Sequence, residues 1–102
     1  MKVELYYFKG CPTYMETAEN LKRALKKLAI KENFALIEVV NAEDAVEKRF
    51  LGSPTIKVNG TDLENNDGEF VFGCRIYSIA GKITGTPTEE YILTRLKAFM
   101  KT

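Results

Sequence analysis

Hydrophobic residues in the N-terminal part of the chain follow two different spacings, which predict a strand, a helix and a second strand. Residues 3–8, VELYYF, form a short run of strand-favouring types that ends at Lys9-Gly10. Beyond it, apolar residues recur every three or four positions as far as Ile30, which is typical of an amphipathic helix. Residues 34–40, FALIEVV, are a second run of strand length. A unit of this size normally joins two parallel strands by a right-handed crossover.

The middle of the chain predicts a short helix followed by a strand. Asn41 is a favoured helix-capping residue, and the segment AEDAVEKRF (42–50) that follows it carries acidic residues in its first turn, where the helix dipole favours them. The chain then breaks at residues 52–54, Gly-Ser-Pro. Residues 55–58, TIKV, have the composition of a short strand.

The C-terminal part predicts one more strand and a closing helix. Asn59-Gly60 is a strong turn signal, and residues 61–69 form a polar loop before the apolar run FVFGCRIY (70–77). We expect this run to pair antiparallel with residues 55–58. Residues 86–89, Thr-Pro-Thr-Glu, spell a capping box with proline at the first helical position, and a helical repeat follows as far as Met100.

This order of elements predicts the fold class and the location of a site. Strand, helix, strand, helix, strand, strand, helix (βαβαββα) is expected to form an α/β domain with a four-stranded mixed sheet flanked by three helices. The 102 residues match one domain over positions 1–102. In this layout the end of the first strand meets the break before the third strand. Cys11 and Pro54 should therefore be neighbours.

Composition and charge narrow the possible partners. The chain is 45% hydrophobic and 28% charged, as in ordinary globular proteins. Its 15 basic and 14 acidic residues leave a net charge of +1, too small to attract nucleic acid or an anionic membrane. The initial stretch MKVELYYF is too short for a signal peptide or a membrane span and is interrupted by Glu4. We expect a cytoplasmic monomer without nucleic-acid or membrane partners.

The absence of histidine and the presence of two cysteines restrict the chemistry. Without histidine there is no Ser-His-Asp or Cys-His pair, no imidazole base and no histidine zinc site. Thiols, carboxylates, tyrosines, lysines and backbone amides remain. Cys11 and Cys74 are too few for a secreted disulfide framework, so free thiols are expected in a reducing compartment. No cofactor or resident metal is expected.

Cys11 is the strongest candidate for a catalytic residue. We place it at the N-cap of the first helix with Pro12 at the first helical position, where backbone amides and the helix dipole lower the pKa of a thiol. The alternative is a buried thiol without a function. Tyr14 stands where a second cysteine would make a local dithiol, so a resolving thiol must come from elsewhere. Its ring could pack locally, or its hydroxyl could donate to a group bound at Cys11.

Cys74 is a second candidate, and its role depends on strand register. A free cysteine inside a strand usually acts as a small hydrophobic residue. If residues 70–77 pair antiparallel with the strand after Pro54, the later half of the run returns toward the edge that carries Cys11. The two cysteines could then form a disulfide, which requires Cα atoms within about 7 Å. The sequence leaves the register open.

The order of elements, the cysteine at the helix start and the segment GSPTIKVNG together resemble the thioredoxin-like superfamily over essentially the whole chain. This resemblance implies that Pro54 is a cis-proline facing the Cys11 thiol, although an X-Pro bond in an ordinary turn would be trans. It also implies that the backbone of Ser53 pairs with an extended substrate. The candidate substrate-binding residues are Pro12, Tyr14, Ser53, Pro54 and Thr55. More narrowly, YFKGCP, FLGSPTIKVNG and GCRIY resemble small prokaryotic thioredoxin-like proteins grouped near alkylmercury lyases.

Three functions follow as hypotheses. The first is a thiol-disulfide oxidoreductase acting on protein or small-molecule thiols and disulfides, with Cys11 as nucleophile and Cys74 or an external thiol as resolving group. The second is binding of mercury or copper by two thiolates, or a reaction like that of the alkylmercury lyases, although no acid stands near Tyr14 at the place this resemblance requires. The third is a non-catalytic binding module that holds an extended peptide along the Ser53-Pro54 edge.

Overall fold

The computed structural model describes residues 2–30, 34–66 and 68–100. Its elements in chain order are β1 (Val3–Tyr7), α1 (Tyr14–Lys27), β2 (Ala35–Glu38), α2 (Ala42–Glu47), β3 (Leu51–Ser53), β4 (Thr55–Val58), β5 (Thr61–Asp62), β6 (Val71–Cys74), β7 (Tyr77–Ile79), β8 (Lys82–Thr84) and α3 (Glu89–Met100). The Cα radius of gyration is 12.7 Å. This is close to the value of about 13 Å expected for a compact chain of this size.

The main sheet has four strands in the order β2-β1-β4-β5. β1 pairs parallel with β2 and antiparallel with β4, and β4 pairs antiparallel with β5. The prediction of an α/β domain with a four-stranded mixed sheet and three helices is therefore confirmed. The turn between β4 and β5 uses Asn59 at φ +53° and Gly60 at φ +84°, the left-handed pair that a two-residue hairpin requires.

The prediction for the fourth strand is wrong. The run 70–77 does not pair with β4, because Thr61–Asp62 follows the tight turn at once and occupies that edge. The run itself divides at residues 75–76. Its first part, β6, pairs parallel with β3, and its second part, β7, forms a hairpin with β8. The predicted polar loop 61–69 therefore contains a strand; of its residues, Asp67 lies outside the described residues.

The ends of the helices follow local hydrogen bonds. Asn41 caps α2 as predicted, since its side chain accepts from the Asp44 N–H at 2.8 Å. α1 begins three residues after Cys11, with Thr13 as its N-cap, so the prediction of Cys11 as N-cap and Pro12 as first helical residue is wrong. The predicted capping box is also displaced, because the Thr88 hydroxyl accepts from the N–H of Tyr91.

The two faces of the main sheet are covered separately. α1 and α3 pack on one face around a core that includes Leu5 and Ile56. On the other face, Tyr6 and Phe8 pack against a smaller cluster formed by Val39, Ala45 and Phe50. β1 supplies both layers because successive strand residues point to opposite faces. Across the described stretches of chain, no helix is both long and apolar enough to cross a membrane.

Candidate functional site around Cys11

Cys11 lies in the turn between β1 and α1, beside the start of β4. Its backbone N–H donates to the Phe8 carbonyl at 3.1 Å, which fixes the turn. Its sulfur lies 3.6 Å from the Ser53 carbonyl oxygen, and the residue is only 3% exposed. The Ser53-Pro54 peptide bond is cis. The predicted proximity of Cys11 to the Ser53-Pro54 segment and the predicted cis-proline are both confirmed.

Opposing influences set the pKa of the Cys11 thiol. Burial is the largest of them and raises the pKa, because it disfavours the charged thiolate. Hydrogen bonds from the side chains of Ser53 and Thr13 and from the N–H groups of Thr13 and Tyr14 lower it. The Ser53 carbonyl has no proton to donate, so its contact favours the neutral thiol. The net result is a pKa below the ordinary thiol value, which favours a nucleophilic thiolate.

Thr13 is a functional candidate that the sequence did not reveal. Its hydroxyl oxygen is 3.2 Å from the Cys11 sulfur, and the same hydroxyl lies 3.0 Å from the Gly85 carbonyl, to which it can donate. One hydroxyl proton thus has two possible acceptors. In the neutral thiol the hydroxyl can donate to Gly85 while the S–H donates to the Ser53 carbonyl; when Cys11 ionises, the hydroxyl can donate to the thiolate instead. The only sequence signal was a threonine between the cysteine and the first turn of the helix.

Substituting Thr13 with valine is expected to raise the pKa of Cys11. Valine has nearly the same shape but no hydroxyl, so one donor to the thiolate is lost while burial is retained. The pKa is measured from the pH dependence of iodoacetamide alkylation, followed by mass spectrometry. Thr94→Val is the control, because the Thr94 hydroxyl on α3 donates to the backbone carbonyl of Glu90; this variant should leave the pKa of Cys11 unchanged. An unchanged pKa in Thr13→Val would contradict the assigned role.

Cys74 lies next to Ser53, but through a strand pairing that differs from the predicted one. It is the register partner of Ser53 in the parallel β3–β6 pair, and the neighbouring Arg75 N–H donates to the Ser53 carbonyl at 2.9 Å. Cys74 is exposed whereas Cys11 is buried, and both are free thiols. The Phe72 ring of the same strand packs on Phe8 with a centroid distance of 5.1 Å. Both cysteines therefore adjoin the same residue, Ser53.

The predicted substrate-binding residues differ in accessibility. Pro12 is exposed, and the Tyr14 ring stacks on Tyr7 with centroids 4.2 Å apart, so this ring packs locally. Ser53, Pro54 and Thr55 are buried. The backbone of Ser53 already pairs with β6, the Pro54 carbonyl accepts from the Tyr77 hydroxyl at 2.5 Å, and the Thr55 hydroxyl donates to the Gly52 carbonyl. The protein's own strand thus occupies the edge where an extended substrate was expected, and the substrate-binding role of these five residues stays a prediction.

The structure also contains a buried polar cluster around Arg75 that was not predicted from the sequence. The Arg75 guanidinium binds both oxygens of Asp62, at 2.7 and 2.9 Å, and reaches Glu64 at 2.8 Å. The other oxygen of Glu64 accepts from the Tyr91 hydroxyl; burial, together with this bond, raises the pKa of Tyr91 to about 12. Arg75 also lies over the Tyr77 ring, 4.7 Å from its centroid. The one sequence signal was a charge within the apolar run 70–77.

Comparison with known proteins adds no relative. No protein-family model, curated protein or solved structure matches the chain. In the parts of the chain that the structure describes, no three or more cysteine, aspartate or glutamate side chains are grouped so as to hold a metal ion.

Proposed function

We propose that this protein is a thiol-disulfide redox protein of the thioredoxin-like kind, with Cys11 as its nucleophile and Cys74 or an external thiol as the resolving group. The observation that carries the proposal is the polar surrounding of Cys11. Two hydroxyls and two backbone N–H groups lower the pKa of a thiol that is otherwise buried. A thiolate is the reactive form in disulfide exchange, so such a setting has a chemical use.

The sheet supports the thioredoxin-like part of the proposal. The sheet, in the order β2-β1-β4-β5 with β1 and β2 parallel and the other two pairs antiparallel, is four-stranded and mixed as the resemblance implies, although its fourth strand is β5 and not the run 70–77. The cis Ser53-Pro54 bond opening β4 and the Cys11 thiol beside it agree with the same expectation. β3, β6 and the β7–β8 hairpin are additions to this core.

The position of Cys74 supports its role as resolving thiol. Cys74 is the cross-strand partner of Ser53 in the β3–β6 pair, whose register is irregular between Leu51 and Ser53. The Ser53 side chain accepts from the Phe8 N–H at 3.4 Å and also lowers the pKa of Cys11. Ser53 thus adjoins both cysteines, which supports a resolving role for Cys74. Because β6 already pairs with Ser53, a module that binds peptides along this edge has less support.

The proposed reaction is a pair of exchange steps. The Cys11 thiolate attacks one sulfur of a disulfide, forms a mixed disulfide and releases the other sulfur as a thiolate. The Cys74 thiolate then attacks the Cys11 sulfur, forms the Cys11–Cys74 disulfide and releases the second half of the substrate as a thiolate. The substrate gains two electrons, and the protein loses them. A low-molecular-weight dithiol or two monothiols must then reduce the internal disulfide.

The test is a mass-resolved alkylation of both cysteines across pH, on reduced and on mildly oxidised protein. We expect reduced Cys11 to alkylate with a pKa below the ordinary thiol value of about 8.5. Mild oxidation should make Cys11 and Cys74 unreactive to the alkylating agent together. The mass of each chain should fall by two hydrogens, because one disulfide forms. The same chain unfolded in urea supplies the reference pKa, since unfolding removes the surrounding hydroxyls. A Cys11 titration equal to that reference, with no internal bridge, would overturn the proposal.

A further inference from the structure

A cavity of about 230 Å³ lies near the opposite end of β3 from the Cys11 site. Leu51, at the start of β3, and Lys57, on β4, form one part of its wall. Other lining residues are a second cation, two amides and an aromatic ring, namely Arg49, Asn65, Asn66 and Phe70. None of the residues that contact the Cys11 sulfur lines this cavity. It is therefore a separate feature of the molecule.

The two cations in the wall, Arg49 and Lys57, outnumber its one carboxylate, Asp62. Asp62 is the one carboxylate among the lining residues, and its two oxygens are bound by Arg75. Within residues 2–30, 34–66 and 68–100, no carboxylate forms an ion pair with the exposed guanidinium of Arg49. Lys57 forms no ion pair with the described carboxylates either, although Glu4 and Asp62 are its cross-strand neighbours, so the cavity carries two cations that are not directly paired. A guanidinium is well suited to bind a carboxylate or phosphate through two hydrogen bonds.

Lys57 is unusually buried for a lysine, with 7% of the residue exposed. Its ammonium donates to the Lys48 carbonyl at 2.9 Å and lies 4.7 Å from the centroid of the Tyr6 ring. Burial lowers the pKa of Lys57; Glu4 and Asp62 oppose this effect, and the charge of Arg49 adds to it. Since an ammonium has three donors, these contacts leave capacity for an anion.

The remaining wall supplies a polar and an apolar part. The Asn66 side-chain oxygen accepts from the Gly68 N–H at 2.9 Å, which leaves its amide hydrogens as donors. Leu51 and Phe70 provide the apolar part. The volume is below the range of about 300–1,000 Å³ found for pockets that take drug-sized ligands. The cavity therefore suits a molecule that is smaller than a typical drug and carries one anionic group.

We propose that this cavity binds a small organic anion, whose carboxylate or phosphate group contacts Arg49 and Lys57 and whose short apolar body contacts Leu51 and Phe70. The proposal does not depend on the redox function proposed for Cys11. It needs no covalent step and no residue of the thiol site. A carboxylate and a phosphate would bind the same two cations, and the experiment distinguishes them by using one probe of each kind.

The experiment is a titration of the ¹⁵N-labelled protein with benzoate, phenyl phosphate, inorganic phosphate and the neutral analogue benzamide, followed by NMR. We expect saturable shifts of the amides of Gly60, Asn65 and Asn66 with benzoate or phenyl phosphate, and the tighter of the two identifies the preferred group. Benzamide should bind at least about tenfold more weakly, because it lacks the charge. No saturable shift with either aromatic anion, or equal binding of benzamide, would overturn the proposal.

Three variants connect the binding to the named residues. Arg49→Gln should weaken the preferred anion at least about tenfold, whereas Arg23→Gln, which removes an equal charge from the exposed face of α1, should change it less than about twofold. Phe70→Ala should weaken benzoate or phenyl phosphate but leave inorganic phosphate unchanged. If Arg49→Gln and Arg23→Gln lowered the affinity for the anion equally, the anion would be responding only to the net charge of the protein. That result would contradict the proposed site.

Discussion

Replacement of Asp62 by asparagine is expected to lower the free energy of unfolding by about 3 kcal/mol or more. The Asp62 and Arg75 side chains are 3% and 5% exposed, and their two hydrogen bonds are 2.7 and 2.9 Å long. Asparagine keeps the size of the side chain but removes its charge and one acceptor oxygen. Arg75 would then be a buried cation with Glu64 as its remaining anionic partner.

The measurement is urea unfolding of Asp62→Asn and the wild type, with the midpoint and the slope both compared. Glu89→Gln is the matched control, because it breaks the Lys27–Glu89 ion pair, in which the lysine side chain is 61% exposed. An exposed pair of this kind contributes less than about 1 kcal/mol. If Asp62→Asn cost no more than Glu89→Gln, the buried cluster would not be a main source of stability.

Replacement of Cys11 by serine is expected to abolish the fast reaction of the protein with a small disulfide at pH 6. At this pH an ordinary thiol with a pKa of about 8.5 is only about 0.3% ionised, so rapid reaction requires the lowered pKa of Cys11. This prediction rests on the proposed redox function. Cys74→Ser should keep the first step and lose the second, because the nucleophile is intact and the resolving thiol is absent.

The measurement uses dithiodipyridine, which releases a coloured thiopyridone at each exchange step. Wild-type protein should release two molecules per chain and end as the internal disulfide. Cys74→Ser should release one and remain a mixed disulfide until an external thiol such as glutathione is added. Release of one molecule by the wild type, completed by glutathione, would identify the external thiol as the resolving group. A wild-type rate in Cys11→Ser would instead make Cys74 the nucleophile and refute the assignment.

Local patterns were sufficient for a large part of the fold. Short apolar runs identified β1 and β2, and helical spacing identified α1, because such patterns involve residues only a few positions apart. The parallel pairing of β1 and β2 followed from the strand-helix-strand order. Asn41 and the Asn59-Gly60 turn were found because capping and tight turns use adjacent residues. The proximity of Cys11 to Ser53 followed from the order of the elements.

The sequence by itself thus determined the α/β order, the mixed sheet and the meeting of Cys11 with the Ser53-Pro54 segment. Only the tertiary structure decided how the run 70–77 is used and what surrounds the thiol. Arg75 binds Asp62, which is 13 residues away in the sequence, and Thr13 binds Gly85, which is 72 residues away. Such partners are chosen by which polar groups must be satisfied when they are buried together, and no local spacing encodes that choice.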